Sequence, residues 1–265
     1  HDVALTDAAP LPADTGISGL VDYESLVARE PERFDWPELD EQTASSICYT
    51  SGTAGFPKGV VYSHRSTVLH SYTICMQDAL SICTTDVTLP VVPMFHVNAW
   101  GVPYAAAMTG SKLVLPGPGL DPASLTELIE SEQATSLLGV PTVWMALLAH
   151  ARAQGRRFES VKKVVIGGSA CPPSMIQAWE QEHGARVLHA WGMTEMSPLG
   201  TVCSFKPQHL QQTQEERYAV MARQGRAVFG VDMKVVGEDG RELPFGAEAS
   251  GDLHVRGPWI ISRYF

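Results

Sequence analysis

A loop of small and hydroxylated residues with a single lysine is the segment of this sequence best suited to chemistry. Residues 47–59 read ICYTSGTAGFPKG, and a strand-like apolar run leads into them. Glycines let a backbone approach a ligand closely, Ser and Thr hydroxyls donate hydrogen bonds, and Lys58 adds a mobile positive charge. These residue types predict a loop that wraps an oligophosphate.

Spacing excludes one common class of phosphate loop. In a G-x-x-x-x-G-K-[ST] P-loop that begins at Gly52, Pro57 would replace the second glycine and Gly59 would replace the magnesium-binding hydroxyl. A surface turn with a solvated lysine is the usual explanation of an arbitrary Gly-rich stretch. The length of this pattern favours a phosphate-binding loop instead.

A second segment places a hydroxyl beside a carboxylate. Residues 188–196 read LHAWGMTEM, an apolar strand that ends in Thr194 and Glu195. Taken alone, W-G-x-T-E is typical of a helix start with a capping threonine. A carboxylate near a phosphate loop would repel ATP unless it holds Mg²⁺, so Glu195 is the candidate metal ligand.

Two further segments could line a pocket. Residues 165–170, VIGGSA, end a predicted strand in small residues, which suits either a planar ring or close packing of another backbone at Gly167. Residues 93–101, PMFHVNAWG, are apolar and aromatic with one titratable group. By itself such a stretch is most often a core loop with a satisfied histidine.

Together these segments resemble the adenylate-forming (AMP-binding) superfamily, and most closely its long- and medium-chain fatty acyl-CoA synthetases. Residues 251–258, GDLHVRGP, add a match to the strand motif that precedes the family's ribose-binding aspartate. One position departs from the pattern, because Ala54 stands where the family usually has a second threonine. A lost charge-assisted hydrogen bond would cost about 1.5–3 kcal/mol, which is consistent with weaker ATP binding but does not imply inactivity.

The resemblance implies a role for each matched residue. Nucleotide binding is assigned to Thr50, Ser51, Gly52, Thr53, Ala54, Gly55, Lys58, Val97, Gly168, His189, Ala190, Trp191, Gly192 and Thr194. The implied acyl pocket contains His96, Val97, Trp100 and Gly192, with Trp100 in the place of a tryptophan that gates the fatty-acid tunnel. The implied magnesium ligands are Thr50 and Glu195, and the catalytic residues are Thr194, Glu195 and Lys58.

The implied reaction is ATP-dependent activation of a fatty, apolar carboxylic acid to an acyl-adenylate and then to acyl-CoA, with AMP and pyrophosphate released. ATP and Mg²⁺ are the expected cofactors and coenzyme A the co-substrate. Two alternatives remain open: an adenylating enzyme with an acceptor other than coenzyme A, and a non-catalytic nucleotide-binding module. Compared with the family pattern, we expect this stretch to lack the ribose-binding aspartate, the hinge, the mobile C-terminal domain and the N-terminal part of the large domain, and therefore to be inactive alone.

Elements that position these segments follow from the apolar pattern. From residue 45 to about 215, strand-like runs alternate with amphipathic segments, which predicts an α/β fold with a mainly parallel sheet. Asp121–Pro122 and Cys171–Ser174 mark two helix starts. Residues 1–44 are predicted to be a connector with a short helix in YESLVAREPERF, and residues 216–265 a small β-rich subdomain.

Composition narrows the possible partners. The chain has 265 residues, 45% of them hydrophobic and 18% charged, and its net charge of -10 makes nucleic acid an improbable partner. It has no apolar run of roughly 20 residues and no signal-peptide pattern, which predicts a cytoplasmic protein without a transmembrane segment. The five cysteines form no C-x-x-C pair and the nine histidines no H-E-x-x-H motif, so no structural metal is expected. A homodimer is expected only by analogy with long-chain relatives.

Overall fold

The computed structural model describes residues 3–4, 16–50, 56–246 and 250–265. The chain forms two compact units, residues 1–39 and residues 40–265. In the first unit, strands β1 (Val3–Ala4) and β2 (Val21–Asp22) pair in parallel and helix α1 (Tyr23–Val27) follows. The Asp22 carboxylate accepts a hydrogen bond from the Ser25 N–H at 2.8 Å and caps this helix, which is shorter than its apolar pattern predicts.

The second unit begins with an antiparallel pair and continues into a seven-stranded sheet. Strands β3 (Ala44–Thr50) and β4 (Lys58–Ser63) form the pair. The large sheet contains β5 (Val87–Pro90), β6 (Lys112–Leu113), β7 (Ser136–Gly139), β8 (Lys163–Ile166), β9 (Arg186–Gly192), β10 (Leu199–Val202) and β11 (Arg226–Ala227). Its order is β11-β10-β9-β8-β7-β5-β6, parallel except for the two antiparallel pairings made by β10. The predicted mainly parallel α/β fold is confirmed.

Seven α-helices accompany these strands in the described part of the second unit. They are α2 (His64–Cys75), α3 (Val97–Trp100), α4 (Val102–Thr109), α5 (Pro122–Glu132), α6 (Pro141–Ala153), α7 (Pro173–His183) and α8 (Gln214–Met221). The Asp121 carboxylate accepts hydrogen bonds from the N–H groups of Ala123 and Ser124, both at 3.1 Å, and so caps α5. Helix α7 begins at Pro173 with a proline in its first turn and without a capping side-chain hydrogen bond, so both predicted helix starts are confirmed.

Buried side chains form two cores, which receive alternate residues of the central strands. Along β8, Val164 and Ile166 belong to one core, which includes Trp144 and Trp179 of α6 and α7. Val165 belongs to the other core, which includes residues of α2, α3 and α4. Period-two alternation sends successive side chains to opposite faces, and both faces of this sheet are apolar.

The tail contains the short strands that its sequence predicts. Strands β12 (Asp232–Val236), β13 (Glu242–Leu243) and β14 (Asp252–Arg256) form an antiparallel sheet in the order β13-β12-β14. The large sheet nevertheless extends past residue 215, because β11 pairs with β10. Within the described residues, no helix has both the length and the apolar character needed to cross a bilayer.

Candidate functional site

A cavity of about 200 Å³ lies at the carboxyl ends of β8 and β9. This edge of a parallel sheet is where α/β folds usually bind ligands, because the connecting loops diverge there. The cavity is lined by Ile74, Leu80, His96, Val97, Trp100, Val165, Gly167, Gly168, Ala190, Trp191, Gly192, Met193, Thr194, Pro198 and Leu199. It therefore joins three of the segments singled out in the sequence.

Neighbouring protein atoms pack closely against the small residues after β8. A Cβ atom placed on Gly167 would lie 3.3 Å from the Ala190 carbonyl oxygen and 3.4 Å from the Trp100 ring. Gly168 has a φ of +80°, which disfavours a side chain there. Protein atoms fill the space beside Gly167, so close packing, one of the two alternatives from the sequence, describes this position.

Strand β9 divides its side chains between the cavity and the opposite core. Ala190, Trp191 and Gly192 line the cavity, whereas His189 does not. His189 Nε2 accepts a hydrogen bond from the Cys171 N–H at 3.3 Å, and its Nδ1 lies 3.3 Å from the Met221 carbonyl oxygen. Burial lowers the pKa of this imidazole, so the ring is neutral with Nδ1 as the donor. Strand alternation turns the His189 side chain away from the cavity, and its part in nucleotide binding stays a prediction.

Helix α3 is a single left-handed turn at the wall of the cavity. Its four residues, from Val97 to Trp100, have φ between 48° and 60°. This conformation costs roughly 1–2 kcal/mol per non-glycine residue. The Asn98 amide donates to Ser46 Oγ at 2.8 Å, which ties the turn to β3. Strain held by tertiary contacts is typical of functional segments, and this turn places Val97 and Trp100 in the cavity wall.

The phosphate-loop candidate joins β3 to β4. Thr50 and Lys58 are paired across the two strands, while Ser51, Gly52, Thr53, Ala54 and Gly55 lie outside the described residues. Strand β3 runs beside a 3₁₀ helix, Thr194–Met196, that follows β9. The Tyr62 hydroxyl donates to the Thr194 carbonyl oxygen at 2.6 Å and fastens β4 to this helix. Burial raises the pKa of Tyr62, so the phenol stays protonated as the donor.

Glu195 and Lys58 both contact Tyr264. The Tyr264 hydroxyl donates to Glu195 Oε1 at 2.6 Å, and the Lys58 ammonium lies 4.8 Å from the centroid of the Tyr264 ring. The hydrogen bond to Glu195 raises the pKa of Tyr264. One aromatic side chain thus connects the lysine of the loop to the predicted metal ligand.

The donor set suits a magnesium ion that arrives with a nucleotide. No group of three or more His, Cys, Asp and Glu side chains in the described ranges could hold a metal. Mg²⁺ is usually bound by one or two carboxylates together with substrate phosphates and water. Glu195, in the 3₁₀ helix that runs beside the strand ending at Thr50, supplies one such carboxylate.

Several residues of this region carry no motif signal. Ile74 and Leu80, from α2 and the segment after it, line the cavity together with Leu199. Tyr62 and Tyr264 reach the 3₁₀ helix from distant parts of the sequence. The only available signal was their apolar or aromatic type, which is equally typical of ordinary core positions.

Comparison with known proteins assigns the chain to a family of enzymes. The family model described as "AMP-binding enzyme" matches residues 4–265. The chain is 51% identical over 253 residues to a medium-chain-fatty-acid--CoA ligase of Ectopseudomonas oleovorans, covering 96% of this chain and 46% of that relative. It is 53% identical over 249 residues to a 3-methylmercaptopropionyl-CoA ligase of Ruegeria pomeroyi, covering 94% of this chain and 46% of that relative.

A solved structure gives the same assignment at the level of the fold. A long-chain-fatty-acid-CoA ligase (FadD1) from Archaeoglobus fulgidus superposes with a TM-score of 0.77 at 24% identity, over 92% of this chain and 49% of that one. The chain spans about half the length of the curated relatives it matches. Because the family model covers nearly every residue and two relatives are more than half identical, this chain belongs to the family of AMP-binding enzymes.

Proposed function

We propose that this chain provides the nucleotide and acyl site of an ATP-dependent acid–thiol ligase. The ligase would convert an apolar carboxylic acid to its acyl-adenylate and then to its coenzyme A thioester. The observation that carries the proposal is the shared cavity, in which the apolar turn of α3 faces the end of β9, with Lys58 and Glu195 joined through Tyr264 beside it.

The β9 end of the cavity is the proposed nucleotide site. Gly168, Ala190, Trp191 and Gly192 would surround the adenine, with His189 contributing only main-chain atoms to this part of the strand. The loop from Thr50 to Lys58 would bind the pyrophosphate portion of ATP. Thr194 lines the cavity at the end of β9 and would orient the α-phosphate.

The α3 end is the proposed acyl site. Val97, Trp100, Ile74, Leu80 and Leu199 all contribute apolar side chains to its lining. Apolar walls favour an apolar acid, because desolvating a polar chain here would leave its hydrogen bonds unmade. A medium-chain fatty acid is our first candidate and a short thioether acid such as 3-methylmercaptopropionate is our second, since relatives named for each are identical to this chain at about half of the matched positions.

The chemistry of the first step is positioning and charge neutralisation. A carboxylate oxygen of the acid would attack the α-phosphorus of ATP, and the bond to pyrophosphate would break. Lys58 would neutralise charge on the pyrophosphate, and Thr194 would donate a hydrogen bond at the α-phosphate. Mg²⁺, held by Glu195 and Thr50, would supply further charge neutralisation when bound. In the second step the thiol of coenzyme A would displace AMP from the acyl carbon.

Calorimetric titration of the chain with ATP, with and without Mg²⁺, tests the nucleotide site. We expect one-to-one binding that Mg²⁺ strengthens, and Glu195→Gln should abolish most of that strengthening. Glu238→Gln is the matched control, because Glu238 is exposed in a turn of the small sheet and the change removes the same charge. No ATP binding by the unaltered chain, or an unchanged Mg²⁺ effect in Glu195→Gln, would refute this part of the proposal.

A further inference from the structure

Tyr264 lies between two groups of opposite charge. Its hydroxyl donates to Glu195 Oε1 at 2.6 Å, and the face of its ring receives the Lys58 ammonium at 4.8 Å. The side chain is 41% exposed, so burial of apolar surface alone does not explain its placement. The two contacts use its polar and its aromatic parts separately.

Both contacts belong to classes of interaction that stabilise the positions of their partners. A hydrogen bond to an ionised carboxylate is about twice as strong as one between neutral groups. A cation within about 6 Å of an aromatic centroid is attracted by the ring quadrupole. Lys58 and Glu195 would attract each other directly if nothing intervened. The ion pairs found in the described part of the chain include neither residue.

The segment that carries Tyr264 is fastened on both sides. The Ile261 N–H donates to the Glu195 carbonyl oxygen at 3.0 Å, and the Phe265 N–H donates to the Gly59 carbonyl oxygen at 2.8 Å. Two residues before Ile261, the Trp259 indole donates to the Leu199 carbonyl oxygen at 3.1 Å. Main-chain bonds to the 3₁₀ helix that carries Glu195 and to strand β4 therefore fix Tyr264 where both charges can reach it.

We propose that Tyr264 is a positioning residue of the magnesium–phosphate site. Its hydroxyl holds one oxygen of Glu195 and its ring holds Lys58, which keeps the two charges from pairing with each other. The second carboxylate oxygen then remains for Mg²⁺ and the ammonium remains for the phosphates. This inference rests on the proposed function of the same site.

Three variants separate the two contacts. Tyr264→Phe removes the hydroxyl and keeps the ring, whereas Tyr264→Leu removes both. Tyr72→Phe is the matched control, because Tyr72 is exposed on α2. Calorimetry gives two quantities: the ATP affinity without Mg²⁺, and the Mg²⁺ concentration at which half of the Mg²⁺-dependent gain in ATP affinity is reached. Thermal melting shows whether each variant is folded.

Tyr264→Phe should raise the half-saturating Mg²⁺ concentration by about tenfold, the factor that one hydrogen bond to a charged group carries. Its ATP affinity without Mg²⁺ and its melting temperature should match those of the unaltered chain. Tyr264→Leu should in addition weaken ATP binding without Mg²⁺, since Lys58 loses its support. In a Glu195→Gln background, Tyr264→Phe should have no further effect on the Mg²⁺ response.

An unchanged Mg²⁺ requirement in Tyr264→Phe would overturn the inference. A lowered requirement would overturn it as well, because Tyr264 would then compete with the metal for Glu195. Failure of the unaltered chain to bind MgATP is a separate result, which would refute the proposed function and this inference with it.

Discussion

The imidazole of His70, on α2, accepts a hydrogen bond from the backbone N–H of Leu199 at 3.2 Å, although 129 residues separate them. The ring packs edge-on against Trp259, with 6.1 Å between centroids. Gly101 leaves room for it, because a Cβ there would lie 2.7 Å from His70 Nδ1. His70 thereby holds α2 against the cavity wall formed by Leu199.

Burial of His70 predicts a dependence of stability on pH. Desolvation lowers the pKa of His70 from 6.5 to about 3, so the folded protein keeps the ring neutral. Above the unfolded-state pKa the ring is neutral in both states, so His70 makes no pH-dependent contribution to the free energy of unfolding. As pH falls from 6.5 towards 3, His70 binds a proton in the unfolded chain but not in the folded chain. The free energy of unfolding should then fall by about 1.4 kcal/mol per pH unit from this group.

Urea unfolding of the wild type and of His70→Gln, followed across this pH range, checks that expectation. The glutamine cannot be protonated and its amide oxygen can accept from Leu199, so the stability gap between the two proteins should narrow as pH falls. His183 and His189, whose pKa values burial also lowers, contribute equally to both proteins and cancel in the difference. A stability difference between the two proteins that stays constant with pH would mean that folding does not lower the pKa of His70.

Gly192 should tolerate no side chain. A Cβ atom there would lie 2.1 Å from the Pro198 carbonyl oxygen, so Gly192→Ala must move the backbone between β9 and β10. We expect the free energy of unfolding to fall by about 3 kcal/mol, which is the upper end of the usual cost of overpacking, and we expect ATP binding to be lost. Gly110→Ala is the control, because Gly110 has open space and only its φ of +72° resists a Cβ, at a cost of about 1–2 kcal/mol. Equal losses in the two variants would contradict the steric account.

The left-handed turn of α3 should reveal its strain at Asn98. Asn98→Gly loses the hydrogen bond to Ser46 but adopts a φ of 51° freely, whereas Asn98→Ala loses the same bond and meets the backbone penalty. Urea unfolding should therefore find the alanine variant less stable than the glycine variant by about 1–2 kcal/mol. Equal stability of the two would show that the turn is relaxed or not left-handed in solution.

Trp100 should limit the size of the acid. Its ring packs beside Gly167 and forms a wall of the cavity, so Trp100→Leu enlarges the proposed acyl site. If a full-length protein that contains this chain has the proposed activity, its ratio of kcat/KM for octanoate to that for butanoate should rise by about tenfold or more, since one methylene in an apolar pocket is worth about 1–3 kcal/mol. Trp36→Leu, at an 85% exposed position, should leave the ratio unchanged. An unchanged kcat/KM ratio in Trp100→Leu would show that Trp100 does not form part of the acyl site.

Features with a local cause could be predicted from the sequence, and those set by distant contacts could not. The helix starts at Pro122 and Pro173 follow from adjacent capping and proline residues, and the parallel sheet follows from alternating apolar runs. Gly168, Ala190, Trp191, Gly192 and Thr194 reach the cavity because their motifs stand at strand ends.

The motif in β9 does not determine which of its side chains face the cavity. Val187 and His189 belong on one face and Leu188 and Ala190 on the other, and only the neighbouring strands decide which face holds the cavity. Of the four residues in the left-handed turn that begins at Val97, only Asn98 is of a type that favours a positive φ. The hydrogen bond from Asn98 to Ser46 of β3 holds the turn in place, and such a distant contact could not be predicted from the sequence. Tyr264 meets Glu195 across 69 residues, a separation for which no spacing rule exists.

Pyrophosphate release by a full-length protein that contains this chain tests the central claim most directly. The assay supplies MgATP with acetate, butanoate, octanoate, palmitate or 3-methylmercaptopropionate, each with and without coenzyme A, and identifies the product. We predict release that peaks with one apolar acid and a coenzyme A thioester of that acid when coenzyme A is present. Release without any thioester would point to a different acceptor, and no release with any of these acids would contradict the account.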